Sequence, residues 1–332
     1  MNADTAGGPL ARRRKIVGWG LMGSLASSIA ASPLHAMSSN STPAASGPMT
    51  DGTALPRVVA GRIERWPLMP SRHVDARHID VWLPRGYDGR TPHAVLYMHD
   101  GQMLFDASTT WNRQAWSADQ AAQKLIDEGR IPSMIIVGVW NNGPLRHSEY
   151  FPEKHLRYLS AGLRTRLVQE ALQGRPRADA YLRFLVEELK PAVDARYTTH
   201  VDRSNTLIMG SSMGGLISVY AMNEYPQVFG AAAGLSTHWI GIHQANAAIP
   251  LAAMNYLQEN LADPVTHRLY QDHGTTELDA LYAPYQPMID QIIRDRGYPS
   301  THFMTRVFEG TGHNERAWAQ RLHIPMEFAL KA

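Results

Sequence analysis

The chain contains no cysteine, which excludes disulfides, a thiol nucleophile and thiolate metal ligands. It also lacks an excess of charge: Lys and Arg number 32 against 30 Asp and Glu, a formal net charge of +2. That balance calls for neither nucleic acid nor an anionic membrane surface as partner. Long apolar runs are missing as well. The stretch from Val17 to Ala31 is broken by Gly18, Gly20, Gly23 and several serines, and is too short for a comfortable membrane span. No internal repeat or low-complexity domain is visible. What is left is a 332-residue chain, 44% hydrophobic, which is enough for one large α/β domain behind a leader.

The first residues read as an address. Arg13-Arg14-Lys15 precedes the modest apolar stretch, and Leu34-His35-Ala36 offers a small residue at a cleavage position. A basic start, a weakly apolar middle and a small-residue site make a secretory signal. Paired arginines suggest the twin-arginine route of a bacterium. The expected organisation is a signal peptide over 1–36, a Ser/Pro/Thr/Gly-rich flexible leader over 37–54, and one catalytic domain over 55–332. The expected location is periplasmic or secreted.

Within that domain, Thr206-Leu207-Ile208-Met209 is an apolar run of strand type, and Leu216 to Met222 continues as a helix. Between them stands Gly210-Ser211-Ser212-Met213-Gly214. Strand, G-x-S-x-G, helix is the pattern of a nucleophile elbow. Ser212 is the candidate nucleophile, with Ser211 pointing elsewhere. The N–H of Met213, at the helix start, is placed to stabilise an oxyanion.

An elbow requires an acid and then a histidine, each just past a later strand. Phe303-Met304-Thr305-Arg306-Val307-Phe308 alternates like a strand and runs into Glu309-Gly310-Thr311-Gly312-His313. His313 is therefore singled out among 15 histidines by topology. The acid lies after the strand Val265–Gln271, among Asp272, Glu277 and Asp279. Asp272 ends the strand and suits a turn cap. Asp279 begins an expected helix over Asp279–Arg296, so capping explains it without chemistry. Glu277 is the favoured acid, with Asp279 and then Asp272 as alternatives.

Other segments place the remaining chemistry. Ala94 to Met98 is a buried-strand run followed by His99-Asp100-Gly101-Gln102, and the loop after this early strand supplies the second oxyanion donor in hydrolase folds. Val58–Trp66 and Val74–Leu83 read as antiparallel edge strands. Met134–Trp140 and Phe229–Leu235 read as buried strands, and Ser117–Glu128 and Ala178–Tyr197 as helices. Alternating strand and helix gives a mostly parallel sheet covered on both faces. Lys154, His155, Arg157, Arg164, Arg166, Arg175 and Arg177 crowd the segment 151–177, which reads either as a lid for an acidic substrate or as a solvated basic face. His200-Val201-Asp202 and His99-Asp100 lack the further clustered ligands that a metal site needs.

Taken together these segments resemble the putative-esterase family of α/β-hydrolases, which includes enterochelin esterase-like proteins, feruloyl and acetyl-xylan esterases, S-formylglutathione hydrolases and antigen 85 acyltransferases. The resemblance rests on His99 to Asp106, Arg146-His147-Ser148-Glu149-Tyr150, Gly210 to Gly215, Asp272-His273-Gly274-Thr275, Tyr282 to Gln286, and Gly312-His313-Asn314-Glu315 with Trp318. It implies an α/β-hydrolase fold and an oxyanion donor at Gly101 or Gln102. It also implies an acid three residues after the loop glycine, which maps onto Glu277. Arg146 and Glu149 are expected to pair and shape the pocket, or else to contact substrate. Trp239 and His238, just past the strand after the elbow, are expected to line it. The implied reaction is ester hydrolysis through an acyl-enzyme, without metal or organic cofactor. The expected substrate is a small-molecule or polysaccharide ester, with acyl or feruloyl esters of carbohydrates first. A siderophore trilactone, an acyl-transfer reaction and a non-catalytic binding role are the alternatives.

Overall fold

A computed structural model describes residues 54–330. The expected signal peptide and nearly all of the leader therefore lie outside the described residues. The strands are β1 (Arg62–Met69), β2 (Arg77–Leu83), β3 (Ala94–His99), β4 (Met134–Val139), β5 (Thr206–Ser211), β6 (Ala231–Leu235), β7 (Arg268–Gly274) and β8 (Phe303–Phe308). They form one eight-stranded sheet in the order β1-β2-β4-β3-β5-β6-β7-β8. β2 pairs antiparallel with both β1 and β4, and every later pairing is parallel. The helices follow as α1 (Ala118–Asp127), α2 (Arg146–Tyr150), α3 (Ala161–Glu170), α4 (Ala178–Arg183), α5 (Lys190–Arg196), α6 (Met213–Glu224), α7 (Ala248–Asn260), α8 (Gln286–Asp295), α9 (Glu315–Arg321) and α10 (His323–Leu330). This is the α/β-hydrolase architecture.

The continuous apolar runs make sense because the central strands are buried on both faces. Successive side chains alternate between two cores. Val95 and Tyr97 of β3, Ile135 and Val137 of β4 and Ile208 of β5 enter one core. Leu96 and Met98, Met134 and Ile136, and Leu207 and Met209 enter the other, with α1 and α10. Among the described residues no helix is long and apolar enough to cross a membrane.

Three elements depart from the sequence expectation. The helix expected over Ala178–Tyr197 is interrupted by a π-helical turn at Phe184–Leu189. Pro191, at the start of α5, has no N–H to donate and crowds the carbonyl four residues earlier, which widens the preceding turn. The helix expected from Asp279 instead begins at Gln286. Pro284 disfavours helical backbone at Ala283, and only a short 3₁₀ turn, Glu277–Leu281, precedes it. β1 also starts later than Val58, because the backbone N–H groups of Val59 and Ala60 are taken by the Asp119 carboxylate.

The segment 151–177 is built into the domain rather than laid over it. Phe151, Leu156, Leu159, Leu167 and Leu172 belong to the core, Lys154 pairs with Glu224, and His155 is buried. Arg164 and Arg166 face solvent on α3.

Candidate active site

β5 ends at Ser211, which is buried, and the chain turns sharply at Ser212 before α6 begins at Met213. Ser212 has φ 55° and ψ −124°, a left-handed backbone that costs a non-glycine residue about 1–2 kcal/mol. Strain of that kind persists only where the surroundings fix it. Here Ser212 N donates to Leu235 O at 2.9 Å, and His238 N donates to Ser212 O at 3.2 Å. The glycines make the turn possible: a Cβ on Gly210 would lie 2.6 Å from the Gly214 carbonyl carbon. The first N–H groups of α6 have no acceptor inside the helix, so Met213 N–H is available at the serine.

The histidine and its acid come from the loops after β8 and β7. Those strands are neighbours, with Gly274 opposite Phe308. Their loops are laced together by Thr275 N and Thr276 N donating to Thr311 O at 3.0 and 3.2 Å. His313 Nδ1 lies 2.5 Å from Asp279 Oδ1. The other oxygen, Asp279 Oδ2, accepts from Ser236 Oγ at 2.6 Å and from Gly274 N at 2.6 Å. Ser236 Oγ in turn accepts from Trp318 Nε1 at 2.9 Å and Arg321 NH2 at 3.1 Å. Burial by itself would raise the Asp279 pKa, but the bond and charge of His313 and the Ser236 and Gly274 donors hold it below the usual carboxylate value. The His313 ring meets Trp318 edge-on at 5.0 Å, and Asn314 caps α9 by accepting from Ala317 N at 3.1 Å.

The favoured acid is thus corrected from Glu277 to Asp279. Helix capping, which the sequence offers for Asp279, is not its role: its oxygens go to His313, Ser236 and Gly274. Glu277 sits at φ 55°, is exposed, and accepts from the backbone N–H of His313 at 2.8 Å. Asp272 is buried and engaged by Arg321 at 2.9 and 3.1 Å and by Tyr270 Oη at 2.8 Å. It braces the sheet edge, and its pKa is raised by burial against the pull of Arg321.

On the other side of the serine, register brings the β3 turn alongside the elbow. Met98 is paired with Met209, so Gly101 follows its strand at the same height as Ser212. A Cβ on Gly214 would touch Asp100 Oδ2 at 3.3 Å. Gly101 must be glycine for packing: a Cβ there would lie 2.5 Å from the Gly138 carbonyl carbon on β4. Asp100 is left-handed at φ 56° and starts the 3₁₀ turn Gly101–Met103. Its carboxylate accepts from Arg146 at 2.6 and 2.7 Å and from Asn141 Nδ2 at 2.6 Å. Burial opposes ionisation of Asp100, but Arg146 and Asn141 keep its pKa low. Gln102 Oε1 accepts from Asn141 N at 3.1 Å. These bonds set the orientation of the Gly101–Gln102 backbone.

Arg146 and Glu149 do not pair with each other, contrary to expectation. Arg146 goes to Asp100, and Glu149 is buried in a bidentate pair with Arg77 of β2, both bonds 2.8 Å. A fully buried carboxylate needs both oxygens satisfied, and Arg77 does this from the strand beneath. Trp239 is also buried, with Nε1 donating to Gln286 Oε1 at 2.9 Å, so it packs and does not line a cleft. His238 is closer to the chemistry. Its ring is 6.5 Å from that of His313 and its Nδ1 is 2.7 Å from Tyr282 Oη. Burial and then the neighbouring His313, His243, His147 and Arg146 push its pKa well down. Trp111 is 84% exposed. Its neighbour Asn112 donates to Glu315 Oε2 at 2.8 Å, two residues beyond His313. A lone tryptophan in an irregular loop leaves no periodic signal by which to find it.

A cavity of about 630 Å³ is lined by residues including Glu153, Lys154, Asp179, Arg183 and Glu224. It sits at the far end of α6, a helix length of about 16 Å from the serine, and is a separate feature.

The family described as Putative esterase matches residues 72–324. The chain belongs to that family. It is a carboxylic ester hydrolase of the α/β-hydrolase type. A Bacillus subtilis protein, YbbA, described as uncharacterised, is 20% identical over 262 residues, 76% of this chain and 92% of its own. Among solved structures, the ferulic acid esterase AmCE1/Fae1A of Anaeromyces mucronatus superposes with a TM-score of 0.58 at 19% identity, covering 84% of this chain and 95% of that one. The enterobactin esterase FES of Shigella flexneri gives 0.56 at 14%, covering 83% of this chain and 59% of that one.

Proposed function

We propose that the protein is a serine esterase acting through an acyl-enzyme. Ser212 Oγ attacks the ester carbonyl, and His313 takes the serine proton and returns it to the leaving alcohol. Asp279 holds the imidazole by Nδ1 and stabilises its charged form. The Met213 N–H and the Gly101–Gln102 turn receive the oxyanion, and water resolves the acyl-enzyme. The observation that carries this reading is the strained Ser212 at the mouth of β5, at the same sheet edge as a histidine–aspartate pair. A fluorophosphonate probe tests it. Labelling at Ser212, found by peptide mass spectrometry and lost in Ser212→Ala but retained in Ser211→Ala, is the expected result.

The favoured substrates are short acyl or feruloyl esters of carbohydrates, met outside the cytoplasm. Three observations support this. The described fold covers 95% of the ferulic acid esterase and 59% of the enterobactin esterase. Trp111 offers an exposed indole beside the catalytic-histidine loop, suited to a sugar or aromatic ring. The N-terminal Arg13-Arg14 pattern is that of an export signal. Rates on methyl ferulate, acetylated xylan, enterobactin and p-nitrophenyl palmitate rank the candidates. Preference for palmitate would contradict this substrate assignment, and preference for enterobactin would favour the siderophore reading.

A further inference from the structure

Glu277 is the residue whose geometry the triad leaves unexplained. It holds a left-handed backbone at φ 55°, which disfavours any side chain other than glycine's hydrogen. It is exposed, so no burial of its side chain compensates. What its carboxylate does is reach across to the next loop and accept the backbone N–H of His313 at 2.8 Å. The fit against that loop is close. A Cβ on Gly312 would fall 2.5 Å from Glu277 Oε2 and 2.6 Å from its Cδ, so the carboxylate lies flat on the glycine that precedes the histidine.

We propose that Glu277 is a positioning residue for His313: Asp279 fixes the ring, and Glu277 fixes the backbone from which the ring hangs. The inference rests on the serine-esterase reading. Two carboxylates two residues apart thus hold one histidine at two points. A single point would leave the imidazole free to swing about the Asp279 bond, and displacements of about 1 Å at a reacting group are costly to rate. The strain at Glu277 is consistent with this, since a residue selected only for the turn would be glycine or asparagine.

The arrangement separates grip from fold. Glu277→Gly relieves the backbone strain and deletes the carboxylate, so its melting temperature should match or exceed that of the parent. Its kcat on p-nitrophenyl acetate should nevertheless fall about tenfold with KM unchanged. Glu277→Gln keeps an oxygen acceptor and should recover most of that loss. Gly312→Ala attacks the same contact from the other side and should lower kcat similarly. In the Glu277→Gly background it should add little, because the two changes remove one interaction. Parent-like kcat in Glu277→Gly, with Ser212 still labelled by a fluorophosphonate, would overturn this inference alone. So would a joint fall of kcat and melting temperature, which marks a merely structural role. An inert parent, unlabelled at Ser212, would overturn both this inference and the reading it rests on.

Discussion

The two sides of Ser212 both rest on buried carboxylates, and they use them differently. On the β7–β8 side Asp279 bonds a histidine, His313, whose ring can both accept and donate a proton. On the β3–β4 side Asp100 bonds Arg146, which never gives up its proton. The first pair includes a group that can exchange a proton with a substrate; the second can only hold shape. The contrast extends outward. The Asp279 pKa is held down by His313 and by two neutral donors, Ser236 and the Gly274 N–H. Asp100 instead sits in a fixed guanidinium fork with an asparagine beside it, and next to it Glu149 is locked by Arg77. One side is built for chemistry, and the other keeps the backbone donors of the Gly101 turn where an oxyanion would form.

Substitutions should therefore fail in different currencies on the two sides. The largest effect belongs to His313→Ala, which should lower kcat/KM by about ten-thousand-fold with little change in melting temperature. Steady-state rates and thermal denaturation on one preparation would show it. On the other side, Asp100→Ala leaves Arg146 without its partner and should destabilise by about 3 kcal/mol, read from denaturant midpoints. Were Asp100→Ala to keep full stability and lose only activity, the division of labour would collapse.

A smaller effect follows from histidines held neutral in the interior. Burial drives the His155 pKa down to about 3, and His99 likewise. His155 sits among Phe151, Tyr220 and Tyr256. With folded values below the unfolded value of about 6.5, the unfolded chain binds more protons on acidification. Stability should be flat above pH 6.5 and fall below it, by about 1.4 kcal/mol per pH unit for each such histidine. His155→Phe should make that decline shallower in urea titrations between pH 4 and 7. An unchanged slope would remove His155 from the account. The smallest expected effect is at the rim. Trp111→Ala should raise KM several-fold on feruloylated oligosaccharides, about 1 kcal/mol of stacking, and leave p-nitrophenyl acetate kinetics alone. An equal change on both substrates would assign Trp111 to the fold instead.

The architecture was legible where local chemistry and global position agree. The apolar runs at Ala94–Met98, Met134–Val139 and Thr206–Met209 are strands because both faces of the sheet are covered, and the glycines around Ser212 admit only a sharp turn. Topology singles out His313 after the last strand, and the structure sets its ring against Asp279. The acid was not. Glu277 and Asp279 lie two residues apart in one loop, and what separates them is a left-handed backbone at Glu277 that turns its carboxylate to the main chain of His313. Sequence spacing carries no trace of that. The partners of Arg146 and Glu149 escaped for a related reason: Asp100 and Arg77 come from distant segments, and only the assembled sheet brings them near. Trp239 reads like a pocket residue until Gln286 is seen to satisfy its indole.

The assignment of the acid is the point on which the account turns, and a pair of rates tests it most directly. With p-nitrophenyl acetate at saturation, Asp279→Asn should lower kcat by about a thousandfold or more, while Glu277→Gln, which keeps an acceptor for the His313 N–H, stays within a few-fold of the parent. A reversed order, with Glu277→Gln the crippled variant and Asp279→Asn near parental activity, would contradict it.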